Sequence, residues 1–168
     1  RLFYEGTLDD YTGAGTLSER GAENVAFNLM LMQGYVEAQG ASFLFAIAPN
    51  KNSLYPENMP YYEIAGADRT VEKLEPLLEE QDVRYADLFS LFNEHDEDLY
   101  YLRDSHWNTK GALLVSDELI DELGRIQFGA LPDAEAGERV DGYVGDLNKM
   151  LYPAWQIPEE DIAFEGLT

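Results

Sequence analysis

Between Ser18 and Gly40, apolar residues recur at Val25, Leu29, Met32 and Val36, a spacing of three to four that gathers them on one side of a helix. Ser18 suits the start of that helix and Gly40 its end. The pattern then changes. ASFLFAIAP, residues 41–49, is a continuous apolar run of strand length closed by Pro49, and predicts a central strand covered on both faces. NKNSLYPENMPYYE, residues 50–63, mixes Asn, Pro and Tyr and predicts an ordered loop at the strand's end, where α/β folds commonly bind ligands. DRTVEKLEPLLEEQ, residues 68–81, returns to helical periodicity, with Asp68 available as cap and Pro76 expected to kink the helix or mark a boundary.

VRYADLF, residues 83–89, reads as a short strand or turn leading into the acidic segment NEHDEDLYYL. A third helix is predicted over TKGALLVSDELIDELGRI, capped by Asn108 or Thr109 and stopped near Gly124. From Phe128 onward Gly and Pro recur among short apolar stretches, which predicts mostly loops with a turn of helix at DLNKML. The opening RLFYEGTLDDYTGAG predicts a strand or hook and then a loop. Helix and strand alternating from residue 17 to 124 imply a three-layer α/β fold, and 168 residues fit a single domain over 1–168.

Charge narrows the function. Eleven basic against 33 acidic residues leave −22, which repels phosphate backbones, so nucleic acid is not an expected partner. The chain has no cysteine, which removes disulfides, thiolate metal sites and cysteine nucleophiles. No apolar run reaches the roughly 18–20 residues a membrane helix needs, and no signal segment opens the chain. The first residue is Arg rather than Met, which reads as a processed or trimmed chain.

The candidate chemistry lies in YYLRDSHWNTKGA, residues 100–112. On extended backbone, Asp104 and His106 would point the same way, and the carboxylate could fix the imidazole tautomer and leave the other ring nitrogen free to take a proton. A surface turn or helix cap is the competing account of the same two residues. Tyr101 and Trp107 offer aromatic area suited to sugar rings or to core packing. His95, inside NEHDED, reads as an exposed surface histidine, and residues 94–98 as solvated surface, because the run lacks the glycine and alternating oxygens of a calcium loop. No metal or cofactor motif is present, and none is expected.

Taken together, these segments resemble the alginate O-acetyltransferase-like proteins of the SGNH superfamily and the related Gram-positive proteins named for a DHHW motif. YYLRDSHWNTKGA resembles their Asp-x-His-Trp element before a Gly-Ala helix. RLFYEG with LDDYTG, FAIAPNKNSLYPENMP and GDLNKML resemble three further elements in the same order. The resemblance implies an SGNH-hydrolase-like, flavodoxin-like fold that need not be complete in this chain. It also implies a Ser-His-Asp mechanism that moves acetyl groups on or off polysaccharide or cell-wall glycan hydroxyls outside the cytoplasm, with a protein or small molecule as acetyl donor. Asp104 would orient His106, the general base. Lys51, Asn52 and Tyr55 in the strand-end loop, with Tyr101 and Trp107, are the candidate substrate contacts, although Lys51 also suits a solvated loop position.

The family's nucleophilic serine, in a Gly-Asp-Ser turn after the Asp-x-His element, has no counterpart: at Gly145-Asp146 the third residue is Leu147. Ser105 would point away from the pair on extended backbone, Ser116 falls inside a predicted helix, and Ser53 is the geometrically tempting substitute. Two explanations stand. The chain ends before the serine segment, the preferred one, or the protein has lost its nucleophile and serves as a non-catalytic envelope module that binds carbohydrate or acts as a scaffold. Transferase and esterase differ only in whether a sugar hydroxyl or water accepts the acetyl group.

Overall fold

The opening residues wind into a helical hook instead of extending into a strand. In a computed structural model, which describes residues 1–65, 69–124 and 137–164, a 3₁₀ turn at Glu5–Thr7 leads into α1 (Leu8–Tyr11). The Thr12 amide and hydroxyl both donate to the Leu8 carbonyl at 2.9 Å, and Gly13 ends the turn at φ +76°. The chain groups into two compact units, Gly6–Phe89 and Arg1–Glu5 with the residues from Ser90 onward.

In the first unit, α2 (Glu19–Ala38) begins where expected, with the Ser18 hydroxyl accepting the Gly21 amide at 3.1 Å, and Gly40 follows its end at φ +79°. Its buried face is centred on Ala22 and Ala26, and Met32 is exposed. Alanines one turn apart let a second helix approach closely. α4 (Thr70–Glu80) uses the gap, packing Leu74 and Leu78 with Val83 into one cluster flanked by Leu17, Val25, Leu29, Phe43 and Phe45. α4 runs unbroken through Pro76. The packed Leu74 and Leu78 hold the turns on either side of the missing amide. Arg69 occupies the cap position, while Asp68 lies outside the described residues.

The expected central strand is short. β1 (Phe45–Ala46) pairs in parallel with β2 (Tyr85–Ala86), Phe45 opposite Tyr85 and Ala46 opposite Ala86, and β1 is half-buried. Between them the expected loop is wound into α3 (Lys51–Leu54) and a 3₁₀ turn at Pro56–Asn58.

α5 (Leu88–Asn93), hidden in the sequence by the acidic run that follows it, leads into the second unit. There α6 (Thr109–Leu123) is capped by Asn108, whose Oδ1 accepts the Gly111 amide at 2.9 Å, and Gly124 follows its end at φ +90°. Phe92, Leu99, Tyr100, Tyr101, Val115 and Leu147 are buried in this unit. Where loops were expected after Phe128, β3 (Glu138–Tyr143) pairs antiparallel with β4 (Glu159–Ala163), and α7 (Asp146–Leu151) lies between them at the expected DLNKML. β3 is exposed along nearly all its length, so no apolar alternation announces it; pairing across an intervening helix makes it a strand. The pairing shifts register between Asp141 and Tyr143, with Gly142 at φ +113° in the bulge, a device that re-aims the next side chain. Among the described residues no helix is long and apolar enough to cross a membrane.

Gly111 is fixed by contact. A Cβ there would stand 2.4 Å from the Leu99 carbonyl oxygen, which also accepts the Asn108 amide at 3.0 Å. Gly111→Ala is expected to cost about 2 kcal/mol or more, read as a lowered midpoint in denaturant unfolding at unchanged slope.

Candidate active site

The Asp104–His106 pairing arises from a turn instead of a strand. Residues 102–106 bend, and Asp104 Oδ1 accepts both the His106 amide at 2.8 Å and the ring Nδ1 at 2.6 Å. A short acidic side chain that bonds the amide two residues on makes this local loop readily. Its other oxygen accepts the Tyr143 hydroxyl at 2.7 Å and the Asp146 amide at 2.7 Å. Asp104 is 2% exposed, whereas the His106 side chain is 76% exposed. An ionised carboxylate only accepts, so Nδ1 carries the proton of the neutral ring and Nε2 keeps its lone pair.

Burial by itself would raise the Asp104 pKa. Hydrogen bonds from the Tyr143 hydroxyl, the Asp146 amide and the His106 amide and ring outweigh it and pull the value down from 3.8 to about 2. Burial, and then donation to that carboxylate, hold the Tyr143 hydroxyl well above the usual tyrosine range.

A second segment closes against the turn from α7. Gly145 is buried, and a Cβ on it would meet the Arg103 carbonyl oxygen at 2.2 Å and the Asp104 amide nitrogen at 2.8 Å. Only glycine allows the Asp146 amide to reach Asp104 there. Asn148 donates its amide to the same Arg103 carbonyl at 3.1 Å, and Glu159 of β4 accepts the Leu102 and Arg103 amides, the latter at 2.7 Å.

Ser105 does not point away from the pair. The bend brings its hydroxyl to 3.3 Å from His106 Nδ1, where it donates to Asp146 Oδ2 at 2.5 Å, while its amide donates to Asp146 Oδ1 at 2.8 Å. It stands on the Nδ1 side, away from the free Nε2. Ser116 is in α6 as expected and bonds back to the Ala112 carbonyl at 2.7 Å. Trp107 is half-buried, with Nε1 donating to the Tyr100 hydroxyl at 2.6 Å and its ring 5.5 Å from that of Phe92. Tyr101 is buried, stacked on Tyr143 at 4.0 Å with its hydroxyl donating to Asp161 at 2.6 Å. Lys51, Asn52 and Tyr55 belong to the other unit. Lys51 and Asn52 are buried in α3, so Lys51 is no solvated loop residue, and Tyr55 is half-buried. Ser53 Oγ in the same helix is buried without a hydrogen-bond partner. His95 and residues 94–98 are exposed, as expected.

Sequence reasoning missed Tyr143 and Asp146 as partners of the dyad. The available signal was the Gly145-Asp146 pair, matched as a motif without a role. Asp104, His106 and Asp146 each place a possible metal-ligand atom within 4.8 Å of the others. Asp104 has both oxygens committed to hydrogen-bond donors, however, and the arrangement is wired to hold an imidazole.

The second unit thus sets an exposed histidine against a buried carboxylate. The chain belongs to the family described as SGNH hydrolase-like domain, acetyltransferase AlgX, whose profile matches residues 2–162. The O-acetyltransferase domain of Pseudomonas putida AlgJ has a similar fold at TM-score 0.58 and 19% identity, over 92% of this chain and 59% of that one. Bacillus cereus PatB1, solved with a sulfonyl adduct, superposes at TM-score 0.60 and 17% identity, over 89% of this chain and 51% of that one. The chain therefore spans between half and three-fifths of these structures. No curated protein sequence matches it.

Asp104 has its folded pKa depressed from 3.8 to about 2, so its contribution to stability is full above 3.8 and lost as pH falls through 2. Asp104→Asn should therefore be less stable than the parent at neutral pH, with the gap narrowing between pH 4 and 2 in urea unfolding series. A gap that stays constant over that window would show that the ionised carboxylate contributes nothing.

Proposed function

We propose that this chain supplies the general base and its orienting carboxylate for an extracytoplasmic polysaccharide O-acetyl transfer or acetyl-ester hydrolysis. The observation that supports this reading best is the 2.6 Å contact from the buried Asp104 to Nδ1 of the exposed His106, which leaves Nε2 facing solvent with its lone pair. In the proposed reaction a serine hydroxyl attacks the acetyl carbonyl of the donor and passes its proton to Nε2. The donor's leaving group then takes that proton, and a serine-bound acetyl ester remains. A sugar hydroxyl or water, deprotonated at Nε2, attacks that ester and releases the serine. Asp104 keeps its negative charge throughout and stabilises the imidazolium formed in each half.

Ser105 is not this serine, because its hydroxyl lies on the Nδ1 side and is held by Asp146. The proposal assigns the role to a serine in a Gly-Asp-Ser turn, which Gly145-Asp146-Leu147 does not provide. Glycan chains and an acetyl donor, protein or small molecule, are the proposed partners. Tyr55 and Trp107 keep part of each ring accessible for a sugar, and the buried Lys51, Asn52 and Tyr101 enter the proposal as supports of the segments that carry those contacts.

The test is turnover of a chromogenic acetyl ester, and of an acetylated glycan, by the full-length protein. His106→Ala is expected to lower kcat/KM by roughly 10²- to 10⁴-fold, the usual worth of a general base. Turnover that survives His106→Ala, or glycan binding by a parent protein with no acetyl turnover at all, would replace this reading with that of a binding module.

A further inference from the structure

His106 Nδ1 faces two carboxylates. Asp104 Oδ1 contacts it directly at 2.6 Å, and Asp146 Oδ2 stands 3.7 Å away with the Ser105 hydroxyl between them. That hydroxyl donates its proton to Asp146 at 2.5 Å, so its oxygen, 3.3 Å from Nδ1, is a second and weaker acceptor beside Asp104 for the one Nδ1 proton. We propose that Ser105 and Asp146 form a second, hydroxyl-bridged arm that positions His106 and stabilises its cationic form. The proposal rests on the reading of His106 as general base.

Capping the turn does not explain this arrangement. For that, the Ser105 amide on Asp146 Oδ1 at 2.8 Å is enough, and the second oxygen could remain in water. Instead Oδ2 takes the serine hydroxyl, and the clamp is reciprocal: the Asp146 amide donates to Asp104 Oδ2 at 2.7 Å while Ser105 donates twice to Asp146. Gly145, which tolerates no Cβ against Arg103, is what allows the two segments to approach this closely.

The energetics favour action in the transition state. Two carboxylates near one neutral ring repel each other, and each gains an attraction to the ring once Nε2 accepts a proton and the ring becomes positive. An interaction that strengthens during the chemical step raises kcat and leaves substrate binding alone. Among the described residues, the charged or polar side chains at Nδ1 are Asp104, Ser105 and Asp146. Tyr143, from β3, contacts the far oxygen of Asp104.

The experiment combines acetyl-ester kinetics of the full-length protein with ¹⁵N NMR of the His106 ring. Asp146→Asn keeps an oxygen for the Ser105 and Leu147 amides but loses the charge and the acceptor for the hydroxyl. It is expected to lower kcat about tenfold with KM within about twofold, and to reduce the share of ring protonated at Nδ1. Ser105→Ala should do the same to a smaller extent, Ser105→Thr should restore the parent value, and the double variant should be no slower than Asp146→Asn alone. Additive losses, failure of threonine to rescue, or a fall in melting temperature with unchanged kcat would overturn the proposal. If the parent protein shows no acetyl turnover, the reading of His106 fails separately. The ring spectrum still decides the clamp: an Nδ1–H population unchanged in both Ser105→Ala and Asp146→Asn rules it out.

Discussion

The buried carboxylate of Asp104 is the constraint around which the second unit is arranged. A charge taken out of water costs several kcal/mol unless donors replace the lost hydration. Here the donors come from three separate places: the turn that carries His106, the Tyr143 hydroxyl on β3, and the Asp146 amide at the start of α7. Each must be held in position by its own segment. The bulge at Gly142 just before Tyr143, the Gly145 contact with Arg103 and the Glu159 bonds to the Leu102 and Arg103 amides all serve that one anion.

The aromatic residues around the motif make the arrangement stiff. Tyr101 lies against Tyr143 at 4.0 Å and ties its hydroxyl to Asp161 of β4, so the ring that donates to Asp104 is fixed by its neighbour and, through it, by the strand pair. On the other side of the turn, Trp107 meets Tyr100 in an antiparallel bridge, and its indole N–H is satisfied by the tyrosine hydroxyl. Buried Tyr and Trp need such partners for their polar atoms. The imidazole projects outward from this buried frame. Such a division suits a site that must be rigid yet reachable.

The first unit follows a different logic. Its core cluster is aliphatic, built where Ala22 and Ala26 admit Leu74 and Leu78. Identities of 17–19% to AlgJ and PatB1 accompany a shared fold. Packing of this sort tolerates exchange among apolar side chains of similar size, whereas the frame around Asp104 depends on particular donors and on glycines with no room for a methyl group.

The local rules were legible in the chain itself. Ser18 and Asn108 cap their helices through their own oxygens, Gly40 and Gly124 follow the helix ends with positive φ, and DLNKML winds as its pattern suggests. The Asp-x-His pair was legible too, because the bond from Asp104 to an amide two residues on is a property of the tripeptide. Everything that required distant segments to meet was decided by the tertiary structure. The half-buried β1 pairs with the two-residue β2, β3 is exposed and becomes a strand through β4, and Met32 yields the buried face of α2 to two alanines because α4 packs on that side. Likewise Ser105 turns back towards the ring because Asp146, 41 residues later, offers it an acceptor. A sequence encodes capping and turn chemistry within a few residues, but the hydration lost by a buried charge must be replaced by whichever donors the fold brings to it, and their identity depends on long-range approach.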